Sequence, residues 1–171
     1  DETYKNAAPS YTVNFNIAQR TKKAGYYLSG EYYRQDGMFK KGNDIYDRYN
    51  MRAKVDFQLT NWLNISNNTS FAFRKYDKPN IDMESFFHEV NRKSTLDVVR
   101  NPDGTYTKSG GAILGLLENG GRSVNDRRDF STTFAATIDL LKDVWQIKAD
   151  ATFRRDSERT RRASLPYSYK Q

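Results

Sequence analysis

The chain has 171 residues, a formal net charge of +7, 37% hydrophobic and 14% aromatic residues, and no cysteine. The missing cysteine excludes disulfides, thiolate metal sites and a cysteine nucleophile, and no apolar run of ~18 residues exists to make a transmembrane helix. A basic balance fits a polyanionic partner, but Lys and Arg alternate with Asp and Glu in most runs and no nucleic-acid motif is present, so nucleic acid is not an expected partner. The one dense basic patch, Arg154, Arg155, Arg159, Arg161 and Arg162, reads as a solvated loop.

In chain order, Asp1 to Pro9 are polar, and Pro9 is tolerated at the entry of a strand. Tyr11, Val13, Phe15 and Ile17 then alternate with Thr12, Asn14 and Asn16, which predicts a first long strand. Thr21 to Gly25 supplies a short turn, with Gly25 available for positive φ. The return strand from Tyr26 to Tyr33 carries tyrosine on both faces, before Gln35-Asp36-Gly37 breaks it. From Tyr49, apolar residues occupy every second place (Met51, Ala53, Val55, Phe57), with Arg52, Lys54 and Asp56 between them. After the turn Thr60-Asn61-Trp62 the alternation resumes, with Ile65, Phe71 and Phe73 on one parity and Ser66, Asn68 and Ser70 on the other. Two such runs joined by a short link predict an antiparallel hairpin whose arms are each roughly 35 Å long, nearly twice an ordinary strand.

Beyond Tyr76 the pattern stops for some fifty residues, and a loop over 77–127 is expected to carry structure of its own. Asp82 reads as the N-cap of a short helix running to Val90, Asn101-Pro102-Asp103-Gly104 reads as a turn, and Ala112–Asn119 as a second short helix closed by Gly120-Gly121. Alternation returns from Phe130 to Leu140, turns at Leu141-Lys142-Asp143-Val144, and ends in Trp145, Ile147, Ala149, Ala151 and Phe153, with Leu165-Pro166-Tyr167 marking another loop.

Six long amphipathic strands, with short turns at one end and long connections at the other, predict an all-β fold: an antiparallel up-and-down transmembrane β-barrel section with one long outer loop containing short helices. A barrel's hydrophobicity is hidden in alternation, so a mean hydropathy of −0.90 does not oppose that reading. Six strands fall short of the ~8 that close a barrel, and a barrel must be exported although no signal peptide opens the chain. The sequence is therefore expected to be a section of something larger. On this parity Met51, Val55, Phe57, Ile65, Phe71, Phe134, Ile138 and Ile147 face lipid, whereas Arg52, Lys54, Asp56, Asn68, Asp139 and Lys148 face the lumen. The competing reading is a soluble basic β-sandwich that binds a ligand.

The segments Ala7-Ala8-Pro9, Gly25-Tyr26-Tyr27-Leu28-Ser29-Gly30-Glu31-Tyr32, Tyr46-Asp47-Arg48-Tyr49-Asn50-Met51-Arg52 and Thr60-Asn61-Trp62-Leu63-Asn64-Ile65 together resemble the barrel of the SusC/RagA family of TonB-linked outer-membrane transporters. The resemblance is specific over positions 7–75. It implies a 22-stranded barrel with an internal plug in the outer membrane of a Gram-negative bacterium, importing oligosaccharides or peptides beneath a SusD-like surface lipoprotein. Contact with the TonB complex would run through parts of the protein absent from this chain, and outer-membrane lipid would surround the wall. No cofactor is implied.

No catalytic constellation is legible, and an enzyme is not expected. His88 is the single histidine, between Glu84 and Glu89, and reads as a loop residue because its neighbours do not complete a metal or acid–base set. Asp139 and Asp150 share the polar parity of adjacent strands and are expected to pair with Lys148 or Arg154. The long loop offers Phe86, Phe87 and Tyr106 as candidate contacts to a ligand or lid, since aromatic faces stack on sugar rings; packing of the loop itself is the plainer role for Phe86 and Phe87.

Overall fold

A computed structural model describes residues 3–94, 96–141, 144–166 and 168–170. They form one antiparallel sheet of six strands in sequential order: β1 (Ser10–Arg20), β2 (Ala24–Asp36), β3 (Ile45–Gln58), β4 (Leu63–Pro79), β5 (Gly121–Leu141) and β6 (Trp145–Ser164). The sheet is not closed. The β3–β4 hairpin pairs as the alternation requires, with Met51 opposite Phe71, Val55 opposite Asn67 and Phe57 opposite Ile65.

Because cross-strand partners share a face, the registers sort the side chains of all six strands into two sets. One face carries Val13, Phe15 and Ile17 of β1, Tyr26, Leu28 and Tyr32 of β2, Tyr49, Met51, Ala53, Val55 and Phe57 of β3, Ile65, Phe71 and Phe73 of β4, Phe130, Phe134 and Ile138 of β5, and Ile147 and Phe153 of β6. These side chains are exposed: Val13 keeps 59% of its surface, Phe134 58% and Phe153 59%. From Phe130 to Ile138 the apolar stretch covers roughly 27 Å of strand. Its upper border is a row of rings, with Tyr11–Tyr32 centroids 5.7 Å apart, Tyr32–Tyr49 4.7 Å and Tyr49–Phe73 6.0 Å.

Polar groups inside this band satisfy one another. Asn67 Nδ2 donates to Thr132 Oγ1 at 3.1 Å, Thr69 Oγ1 donates to Asn67 Oδ1 at 2.9 Å, and the Thr69 and Thr132 hydroxyls lie 2.8 Å apart. The strand interior also holds Gly30, where an added Cβ would run into the Phe15 ring of the neighbouring strand. The aromatic ring thus covers the backbone that the glycine leaves bare.

The sequence reading misjudges three local features. Gly25 lies inside β2 and is not among the positive-φ glycines; the β1–β2 turn is instead closed by Thr21, whose N–H and hydroxyl both donate to the Ala24 carbonyl, at 2.7 and 3.0 Å. The arginine-rich patch is strand, not loop, because β6 continues to Ser164 on the ladder of β5. The connection expected over 77–127 spans only 80–120, since β4 and β5 stay paired up to Pro79 opposite Arg122. In these extensions both faces of the strand are polar, so pairing continues without an apolar alternation to announce it. The turn expected at Leu141–Val144 lies partly, and Tyr167 wholly, outside the described residues.

The connections at the far end from the short turns fold into a cap. Helix α1 (Met83–Arg92) starts at Asp82, whose carboxylate accepts from Ser85 N at 3.1 Å. Gly104 takes φ +83 in the predicted turn and donates to Asn101 O at 2.9 Å. The second helical stretch begins earlier than its apolar residues announce: α2 (Lys108–Gly110), capped by Thr107, runs through a π-helical turn (Gly111–Gly115) into α3 (Leu116–Asn119). The cap holds every buried hydrophobic core residue among those described: Phe39, Phe86, Tyr106, Leu114 and Leu117. Phe39 comes from the β2–β3 connection and meets Phe86 edge-on at 5.5 Å, which ties the two long connections together.

Candidate functional site: the polar wall

The opposite face of the sheet is concave, because a single cavity of about 670 Å3 is lined by residues of all six strands. Its middle row, read through the registers, is Asn16, Ser29, Arg52, Ser70, Ser131 and Arg154. Three hydroxyls therefore lie along a row that holds two arginines. Among the described residues neither Arg52 nor Arg154 has an anionic partner, whereas Glu31, Arg48, Arg74, Arg127 and Asp129 beside them are paired.

Glu31 accepts from Arg48 at 2.6 Å and from Asn50 Nδ2 at 3.2 Å, and the Arg48 guanidinium sits 5.2 Å from the centre of the Tyr33 ring. Asp129 lies between Arg74 and Arg127, 3.2 Å from each. These are partly exposed pairs, worth ~1 kcal/mol or less apiece. Their consequence is to fix where positive charge stays free. Three buried polar atoms on the wall, Arg48 Nε, Asn68 Oδ1 and Asp129 Oδ2, have no hydrogen-bond partner within the protein. Asp129 Oδ2 is still 3.2 Å from the Arg74 guanidinium, which leaves Arg48 Nε to donate, and Asn68 Oδ1 to accept, a hydrogen bond on this wall.

Of the residues expected on this face, Arg52 lines the main cavity, and Lys54 and Asp56 line a groove of about 360 Å3 beside Tyr27. Lys54 and Asn68 are register partners. Asp139 and Lys148 lie nearer the short turns: Asp139 accepts from Gln146 Nε2 at 2.9 Å, and Lys148 stands opposite Thr137. The pairing of Asp139 and Asp150 with Lys148 or Arg154 is not found among the described residues; Asp139 takes an amide from its own register partner instead. The six residues thus share one wall without converging on one site. Glu31, Arg74, Asp129 and Arg154 complete the wall, and their position on the polar parity was the available signal.

The loop aromatics divide. Phe86 keeps 2% of its surface and Tyr106 8%, so both rings serve the cap's core, while Phe87 keeps 39%. The Tyr106 hydroxyl donates to Glu118 and accepts from Arg100 at 2.8 Å, with the Arg100 guanidinium 4.2 Å from the ring centre. Burial, and then the Glu118 carboxylate, raise the Tyr106 phenol; the same hydrogen bond, with Lys41 and Arg100 nearby, lowers the Glu118 carboxyl. Sequence reading missed Phe39, whose only signal was one large ring in a polar loop.

Among the described residues no three metal-ligating side chains gather. No protein-family model and no curated protein matches the chain.

Proposed function

We propose that the chain is a section of the barrel wall of an outer-membrane, TonB-coupled nutrient importer of the SusC/RagA type, taking up oligosaccharides or peptides with a SusD-like lipoprotein. One observation carries the reading: an exposed apolar band, bordered by rings, covers the convex face of all six strands, while the concave face is polar. In water an exposed face of that size would be an aggregation hazard; in a bilayer it is what a spanning strand requires. The self-satisfied Asn67–Thr69–Thr132 cluster fits the same setting, since lipid supplies no hydrogen bonds. The convex face then meets lipid, the polar wall meets the lumen, and the cap stands outside the cell as a recognition surface with Phe87 exposed on it.

The test is deletion of residues 82–119 from the full-length importer. Insertion should survive, because register is set by the two-faced strands, while substrate uptake and association with the lipoprotein should fall to background. Normal uptake by the deleted protein would count against the assignment.

A further inference from the structure

Immediately beyond the apolar band, the convex face of β5 and β6 changes from rings to guanidinium groups. Going up β6 the convex residues are Phe153, Arg155, Ser157, Arg159 and Arg161; going up β5 they are Phe130, Arg128 and Asp126. Arg128 is the register partner of Ser157, and Arg155 and Arg159 flank Ser157 on its own strand and face. Two residues along a strand span ~6.6 Å and neighbouring strands lie ~4.8 Å apart. Three guanidinium stems therefore rise around one hydroxyl within a single step of register.

One carboxylate stands beside this cluster and is already engaged. Asp129 and Asp156 are register partners on the concave face, and Asp126, the register partner of Arg159 on the convex side, is held by Arg161 at 2.7 Å. Among the described residues Arg155 and Arg159 have no anionic partner, and Arg128 lies over the Phe73 ring, 5.6 Å from its centre. Arg128 is thereby held at the upper border of the aromatic row.

We propose that Arg128, Arg155, Arg159 and Ser157 form a cradle for the phosphate of a phosphorylated lipid headgroup. This rests on the convex face being the lipid face. The forked donors of arginine match phosphate oxygens, and a serine hydroxyl adds a further donor. The occupant is a lipid and not a soluble phosphate because the cradle is continuous with the apolar band: Phe130 stands level with Arg155 and one step below Arg128, and Phe153 one step below Arg155, where the acyl chains of a lipid whose headgroup sits at the cradle would run.

The full-length protein in detergent, titrated with lipid A as a diphosphorylated glycolipid probe and read by native mass spectrometry, tests the cradle. Wild-type protein should retain the probe, and Arg128→Gln/Arg155→Gln/Arg159→Gln should weaken retention at least tenfold while keeping the heat-shifted gel mobility of a folded barrel. Dephosphorylated lipid A should bind the wild type only as weakly as the variant, and millimolar inorganic phosphate should not displace the intact lipid. If the triple variant does not fold, Arg155→Gln alone should still weaken retention about threefold. Equal retention by a folded variant, equal binding of the dephosphorylated lipid, or displacement by inorganic phosphate would overturn the cradle and leave the membrane reading standing. A wild-type protein that stays soluble without detergent and does not enter vesicles would overturn both.

Discussion

The sheet and the cap are built on opposite plans. The cap buries Phe39, Phe86, Tyr106, Leu114 and Leu117 in a small core with charged residues around it, as any water-soluble unit does. The sheet is larger, and among its described residues no Phe, Tyr, Val, Ile, Leu or Met is buried: it turns its Phe, Val, Ile and Met outward on the convex face and keeps Arg, Asn, Ser and Asp inside the curve. Burial in water accounts for the cap's fold. It does not account for the sheet's, and the proposed membrane setting supplies the different surroundings that the difference calls for.

The largest effect that separates them should come from Phe86→Ala. Truncating a buried Phe costs about 3–5 kcal/mol, and here the loss falls on the cap alone, because Phe86 packs on Phe39 and the helical stretch and not on the sheet's faces. Hydrogen exchange should show the amides of 83–119 losing protection while β3 and β4 keep theirs. Loss of protection across the strands would mean that the cap and the sheet fold as one unit.

Next comes Val55→Arg on the convex face. A mid-membrane arginine on a barrel's lipid side costs ~2–4 kcal/mol, whereas Lys54→Ala, one residue away on the concave wall, removes an exposed charge that makes no ion pair among the described residues and should change stability by ~0.5 kcal/mol or less. Denaturant titration of the full-length protein in vesicles reads both. Similar tolerance of the two changes would erase the distinction between the faces.

The contrast also explains what could be read from the sequence. Where one face is apolar and the other polar, as at Tyr49–Phe73 and Phe130–Phe153, a period of two identifies the strands and their faces from the residues alone. Where both faces are wet, as at Gly121–Asp129 and Arg155–Ser164, the ladder persists through backbone bonds and cross-strand pairs such as Arg161–Asp126, and no apolar rhythm marks it. The cap was legible through local chemistry, Asp82 at its N-cap and Gly104 in its turn, because those signals lie within four residues of what they determine. Its core was not, since the entire β3–β4 hairpin separates Phe39 from Phe86 in the chain. The wall's charge pattern was half legible: parity places Arg52 and Asp139 on it, but which cations remain unpaired depends on diagonal neighbours on adjacent strands, such as Glu31 for Arg48 and Asp129 for Arg74.

A smaller effect is expected from acid. Hydrogen bonds from Ser85 hold the Asp82 carboxyl below its ordinary value, those from Thr105 do the same for Asp103, and the Tyr106 hydroxyl does so for Glu118. A carboxyl depressed by folding stabilises the folded form above its ordinary, unfolded value, and that contribution is lost as pH falls through the depressed one. All three groups lie in the cap, so exchange protection of 83–119 should decline progressively below about pH 4, with the strands unchanged. A cap whose protection is the same at pH 3 and pH 7 would show that these carboxylates do not hold it.

The central claim, that the convex face meets lipid, is open to direct measurement by cysteine labelling, and this chain adds no thiol of its own. Single cysteines placed in turn at positions 130 to 138 of the full-length protein can carry an environment-sensitive fluorophore in vesicles containing brominated lipid. Quenching should alternate, strong at 130, 132, 134, 136 and 138 and weak at 131, 133, 135 and 137, following the two faces of β5. A flat profile, or stronger quenching at the odd positions, would contradict it.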